Sequence, residues 1–110
     1  MPDIKPEDFF ILVGDFNCTP DSGTYNCIKQ FGFTSCFALI NGSEPVITFP
    51  TGLQAEFMDT DPPLTTDYIW IRGEGKVVAC HIDKASRTSD PNDPTIYGSD
   101  HMAIVADIVI

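Results

Sequence analysis

Five consecutive apolar residues, Phe9-Phe10-Ile11-Leu12-Val13, closed by Gly14, mark the first element of the chain. A continuous run of β-formers of this kind suits a strand buried on both faces of a sheet. Thr19-Pro20-Asp21-Ser22-Gly23 follows as a turn that offers Asp21 or Ser22 as a helix cap. Tyr25, Ile28 and Phe31 then recur at helical spacing as far as Gly32, a natural stop. From Phe33 to Ile40 the pattern is ambiguous between a short strand and a helix, whereas Val46-Ile47-Thr48-Phe49 before Pro50 predicts a short strand.

The polar stretch Gln54 to Thr66, with Pro62-Pro63 inside it, reads as an irregular surface loop. Tyr68-Ile69-Trp70-Ile71 and Val77-Val78-Ala79-Cys80 flank Gly73-Glu74-Gly75, which predicts a hairpin because glycine supplies the positive φ of tight turns. A second polar loop spans Ser86 to Gly98, and Met102 to Ile110 alternates weakly as a last strand. There is no internal repeat. A strand, a helix and then several strands indicate an α/β fold with a mixed β-sheet and helices on one face. If one face of that sheet lacks a cover, its apolar surface would drive association with another copy or with a further domain.

Composition narrows the function classes. With 110 residues, 43% of them hydrophobic and 20% charged, the chain supports one globular core. Sixteen acidic residues against six basic ones give a formal net charge of -10. Proteins that grip a nucleic-acid backbone show the opposite balance, so this chain alone is a poor polyanion binder. A bound divalent cation can still supply local positive charge to a phosphoester. Cys18, Cys27, Cys36 and Cys80 form no C-x-x-C zinc pattern, and no secretory signal opens the chain. The expectation is reduced thiols in an intracellular, cytoplasmic protein, with the nucleus and organelles left open. The longest apolar run, Phe9 to Val13, falls far short of the roughly twenty residues of a membrane-spanning helix.

Three short segments carry candidate chemistry. In Gly14-Asp15-Phe16-Asn17 a carboxylate and a carboxamide lie two apart at the end of a strand, where an extended chain points both the same way. Asp15 would accept a proton from water and Asn17 would donate to a phosphate oxygen; the plain alternative is a strand-to-turn junction, in which Asp and Asn are common. Ser99-Asp100-His101 precedes the last strand, and Thr66-Asp67 precedes Tyr68-Ile69-Trp70. A histidine near neutrality transfers protons or stabilises charge on phosphate when a carboxylate fixes its tautomer, and Asp67 offers that carboxylate. Each residue alone has a structural reading: His101 as a satisfied histidine before a strand, Asp67 as a loop end. His81, in Cys80-His81-Ile82-Asp83, has no such companions and reads as structural. Asp90, Asn92 and Asp93 are interrupted by Pro91 and Pro94, which breaks a calcium-loop pattern, and at least one of Tyr68 and Trp70 is expected in the core.

Taken together and in order, Gly14-Asp15-Phe16-Asn17, Asp67-Tyr68-Ile69-Trp70 and Ser99-Asp100-His101 resemble the late motifs of the endonuclease/exonuclease/phosphatase family. The longer match from Gly14 to Tyr25 is most similar to the branch of poly(A)-removing nucleases and related phosphodiesterases. The resemblance implies that residues 1–110 are the C-terminal portion of such a domain, half of a four-layer α/β sandwich, with the first half absent. It also implies a metal-dependent phosphoester hydrolase. Asp15 would orient or deprotonate the attacking water, Asn17 and His101 would hold the phosphate, Asp67 would pair with His101, and Asp100 would lie near the metal. The implied cofactor is Mg²⁺, with Mn²⁺ as a substitute. Implied substrates are phosphoesters: nucleic acids, nucleotide-like diesters or phospholipid headgroups. The family's principal metal-binding glutamate has no counterpart here, since none of Glu7, Glu44, Glu56 or Glu74 lies in a matching motif, so negligible hydrolysis by this polypeptide alone is expected. The rival reading is a non-catalytic interaction module that binds another protein through the same sheet.

Overall fold

The structure, a computed structural model, describes residues 8–50, 64–83, 92 and 99–110. In chain order its elements are β1 (Phe10–Asp15), α1 (Gly23–Gln30), β2 (Thr34–Ser35), α2 (Cys36–Asn41), β3 (Asp67–Arg72), β4 (Lys76–Asp83) and β5 (Ala103–Val109). The result is a small α/β domain. Its strands form two sheets, one of three strands in the order β1-β3-β2 and one of two, β4-β5. All three strand pairings among the described residues are antiparallel, where a mixed sheet was the expectation. The loop expected over 54–66, apart from its last three residues, and the second loop with its Asp90, Asn92 and Asp93 cluster, apart from Asn92, lie outside the described residues.

β3 is the strand around which the core is organised, because alternate residues of a strand point to opposite faces. Tyr68 and Trp70, 2% and 0% exposed, face α1 and pack with Cys18 and Tyr25. The Tyr25 ring centroid lies 5.5 Å from that of Tyr68 and 5.2 Å from that of Trp70, the tilted and edge-on contacts that aromatic quadrupoles favour. Ile69 and Ile71 face the other way and meet β4, β5 and α2 through Val77, Cys80, Ile104 and Cys36, so the two helices pack against opposite faces of β3, where helices on one face were expected. The four cysteines are unpaired, and three of them are buried.

α1 forms as the sequence indicates. Ser22 is its cap, accepting from the Tyr25 N–H at 3.3 Å, and the chain turns out of the helix at Gly32, φ 88°. The ambiguous stretch after Phe33 contains both elements: the two-residue β2 runs directly into the six-residue α2. Glu44 secures this region, accepting from the Tyr25 hydroxyl and the Ser35 hydroxyl, each at 2.8 Å.

Three expectations are corrected. β1 is in place but is not buried on both faces: Ile11, Leu12 and Val13 are 45%, 39% and 65% exposed. It pairs with β3 on one side and has no partner strand on the other among the described residues. No hairpin joins β3 to β4, because β3 pairs with β1 and β2 while β4 pairs with β5. Gly73 and Gly75 serve a close approach instead: a Cβ on Gly73, φ 101°, would overlap the Asp8 carbonyl, and one on Gly75 would overlap the Phe9 ring. Residues 46–49 make a single bridge, Phe49 to Leu64, rather than a strand. The Thr48 and Phe49 N–H groups both donate to the Leu64 carbonyl, at 2.9 and 3.0 Å, in place of the alternating pairs of a ladder.

Candidate functional site

The register of the first sheet brings two carboxylates together. Asp15 at the end of β1 stands directly opposite Asp67 at the start of β3. Directly opposed residues share a face, and like charges placed so repel. His101, two residues before β5, lies against both. Its Nδ1 is 2.8 Å from Asp67 Oδ2, a hydrogen bond that fixes the proton on Nδ1 when the ring is neutral. Its Nε2 is 3.7 Å from Asp15 Oδ2 and 3.8 Å from Asp100 Oδ1, too long for direct hydrogen bonds.

Partial burial alone would lower the proton affinity of His101. The Asp67 hydrogen bond and the charges of Asp67, Asp15 and Asp100 outweigh it and hold the imidazole above its ordinary value of 6.5. The ring also lies against Phe49, with centroids 4.6 Å apart.

The segment around Thr48 holds this geometry and was not singled out in the sequence. Thr48 is fully buried, and its Oγ1 accepts from the Thr66 N–H at 3.0 Å and the Asp67 N–H at 3.3 Å. Its carbonyl accepts from the Met102 N–H at 2.8 Å. One residue thus joins the start of β3 to the chain next to His101. Thr66 adds a hydroxyl that donates to Asp67 Oδ2 at 3.2 Å. The only signal available beforehand was a polar residue in an otherwise apolar run, which a strand reading absorbs.

Asp15, Asp67, Asp100 and His101 therefore come together, and Asn17 meets Asp15 through its backbone. The extended chain ends at Asp15, and Asn17 has a left-handed backbone, φ 51°. It contributes its main-chain N–H, which donates to Asp15 Oδ1 at 2.8 Å. The argument that side chains two apart point the same way fails here, and the strand-to-turn reading of this junction is correct for the backbone. Asp15 Oδ1 is thereby engaged and Oδ2 is the atom turned to His101. His81 is exposed on β4 opposite Val105 and takes no part.

Asp15, Asp67 and His101 each present a ligand atom, all within 4.8 Å of one another, and form the only such metal-capable group among the described residues. Two carboxylates and an imidazole accept Mn²⁺ or Zn²⁺ as readily as Mg²⁺, so the donor set does not single out magnesium. Beside the group opens a cleft of about 350 Å³ whose walls include Val13, Ile69, Met102 and Ile104. No helix among the described residues is long and apolar enough to cross a membrane. No protein family, curated protein or solved structure matches this chain.

Proposed function

We propose that the chain is the C-terminal portion of a metal-dependent phosphoester hydrolase of the endonuclease/exonuclease/phosphatase type. The observation that carries this reading is the line Asp67–His101–Asp15, in which one carboxylate holds Nδ1 and leaves Nε2 facing a second carboxylate across a 3.7 Å gap. In the protonated ring Nδ1–H is taken by Asp67, which leaves Nε2–H to donate to a phosphate oxygen. Asp15 Oδ2 is positioned to take a proton from the attacking water, with its other oxygen held by the Asn17 N–H. Asp100, with Oδ1 3.8 Å from His101 Nε2, would lie near a Mg²⁺ or Mn²⁺ ion, directly or through water. The ion's chemistry would be to offset charge on the phosphoryl group.

The resemblance assigns a further metal ligand to a glutamate for which this sequence has no matching motif. Glu44, the partly buried candidate, is engaged by Tyr25 and Ser35 instead. This polypeptide alone therefore turns over phosphodiesters negligibly while keeping a weak cation site. Paramagnetic broadening by Mn²⁺ tests the site: signals of Asp15, Asp67, Asp100 and His101 should broaden first, and Asp15→Asn should weaken the effect. Broadening spread evenly over the acidic surface would remove the reading.

The exposed apolar side of β1, Ile11 and Val13, favours a second reading, an interaction module built on the same sheet. Absence of any local cation effect, together with a partner that protects β1 from hydrogen exchange, is its signature.

A further inference from the structure

The cleft beside His101 does not end at β5. A second groove, of about 510 Å³, has Phe37 and Ile82 in its walls, and Met102 lines both. Ile82 of the second groove and Ile104 of the first are directly opposite one another across β4 and β5, so they lie side by side on one face. The two grooves therefore adjoin at Met102, and we treat them as one trough, with Asp15 and Asp67 in the wall of the first.

Its surface decides what it can hold. The apolar side chains Val13, Ile69, Ile104, Met102, Ile82 and Phe37 dominate, and no lysine or arginine lines either groove among the described residues. A polynucleotide needs a row of cations, and the chain's net charge is -10. A peptide would bury amides with few partners. Of the four polar side chains that line the second groove, Asn41 Nδ2 donates to the carbonyls of Phe37 and Cys80 and Glu44 accepts from Tyr25 and Ser35, while Ser43 and His81 are exposed. An alkyl chain asks for no hydrogen bonds and gains from each methylene taken out of water.

We propose that the ligand is a phosphodiester bearing one long alkyl chain, of the lysophospholipid kind, with its phosphate at His101 and its chain in the trough. This deepens the hydrolase reading and rests on it.

The test is NMR of the full chain with labelled methyl groups in the presence of Mg²⁺, comparing dimethyl phosphate with octyl methyl phosphate. Both should shift the His101 ring. Octyl methyl phosphate alone should shift the methyls of Ile82, Ile104 and Met102, and should bind at least about tenfold tighter, given the gain per buried methylene. Met102→Gln, and separately the surface change Val13→Asp, should reduce that advantage while circular dichroism reports an intact fold. Equal affinities with the His101 shift retained would overturn the alkyl assignment and leave the hydrolase reading standing. No His101 shift with either probe would remove both. Tighter binding of a short oligothymidylate, or trough shifts that follow protein concentration without any probe, would assign the trough to a polyanion or to a second copy and overturn the proposal.

Discussion

His101 is the residue at which proton chemistry and folding meet. Its Nδ1 bond to Asp67 and three surrounding carboxylates make the folded state bind a proton more tightly than the unfolded chain, whose histidine titrates near 6.5. The linked stability is fully present below that value and is lost as pH rises through the higher, folded one. In metal-free protein, urea unfolding across this window should therefore show stability falling with pH, and His101→Ala should flatten the slope. Asp67→Asn should lower the His101 titration seen by NMR, since it removes the nearest charge and leaves at most a weaker, neutral hydrogen bond; an unchanged titration would show that the pair does not persist in solution. Thr48→Val tests the support beneath the pair. It keeps the shape but removes the acceptor of two main-chain N–H groups, which should cost about 1–3 kcal/mol in urea unfolding. Thr48 also marks where reading by pattern stops: in Val46-Ile47-Thr48-Phe49 its hydroxyl looks like one polar position of a strand, and its partners at Thr66 and Asp67 lie in another part of the chain.

At the scale of elements, what could be read was what depends on near neighbours. α1 is specified by a serine cap and three apolar residues at helical spacing, all inside one short window, and it forms there. β1 begins and ends close to where its apolar run does, yet its burial depends on what lies beside it, and Ile11 and Val13 are exposed. The turn between β3 and β4 misleads for a related reason. Glycine serves tight turns and close backbone approaches alike, and only the position of Asp8 and Phe9 shows which is needed. Gly73→Ala should accordingly destabilise by more than about 1 kcal/mol, because the new Cβ meets main-chain atoms in a backbone conformation that alanine resists. A thermal melt unchanged by that substitution would mean that the segment before β1 moves away freely. The meeting of Asp15, Asp67 and His101 drew on the whole set of motifs, since each motif taken alone favoured a turn, a loop end or a structural histidine.

For the molecule as a whole, charge acts against compaction. Sixteen acidic groups against six basic ones repel one another more strongly in the folded chain than in the unfolded one. Added sodium chloride, which shortens the screening length from about 30 Å at 0.01 M to about 8 Å at 0.15 M, should raise the melting temperature; a fall would show that the attractive contacts around His101 dominate. The same view shows how unevenly the site is mounted. Asp67 begins the strand whose alternate side chains anchor both hydrophobic clusters, whereas Asp15 ends a strand with exposed flanks. One jaw of the site is clamped in the interior and the other is cantilevered from the rim. Local opening should therefore begin on the Asp15 side, with hydrogen exchange faster in β1 than in β3, where the imidazole keeps its companion.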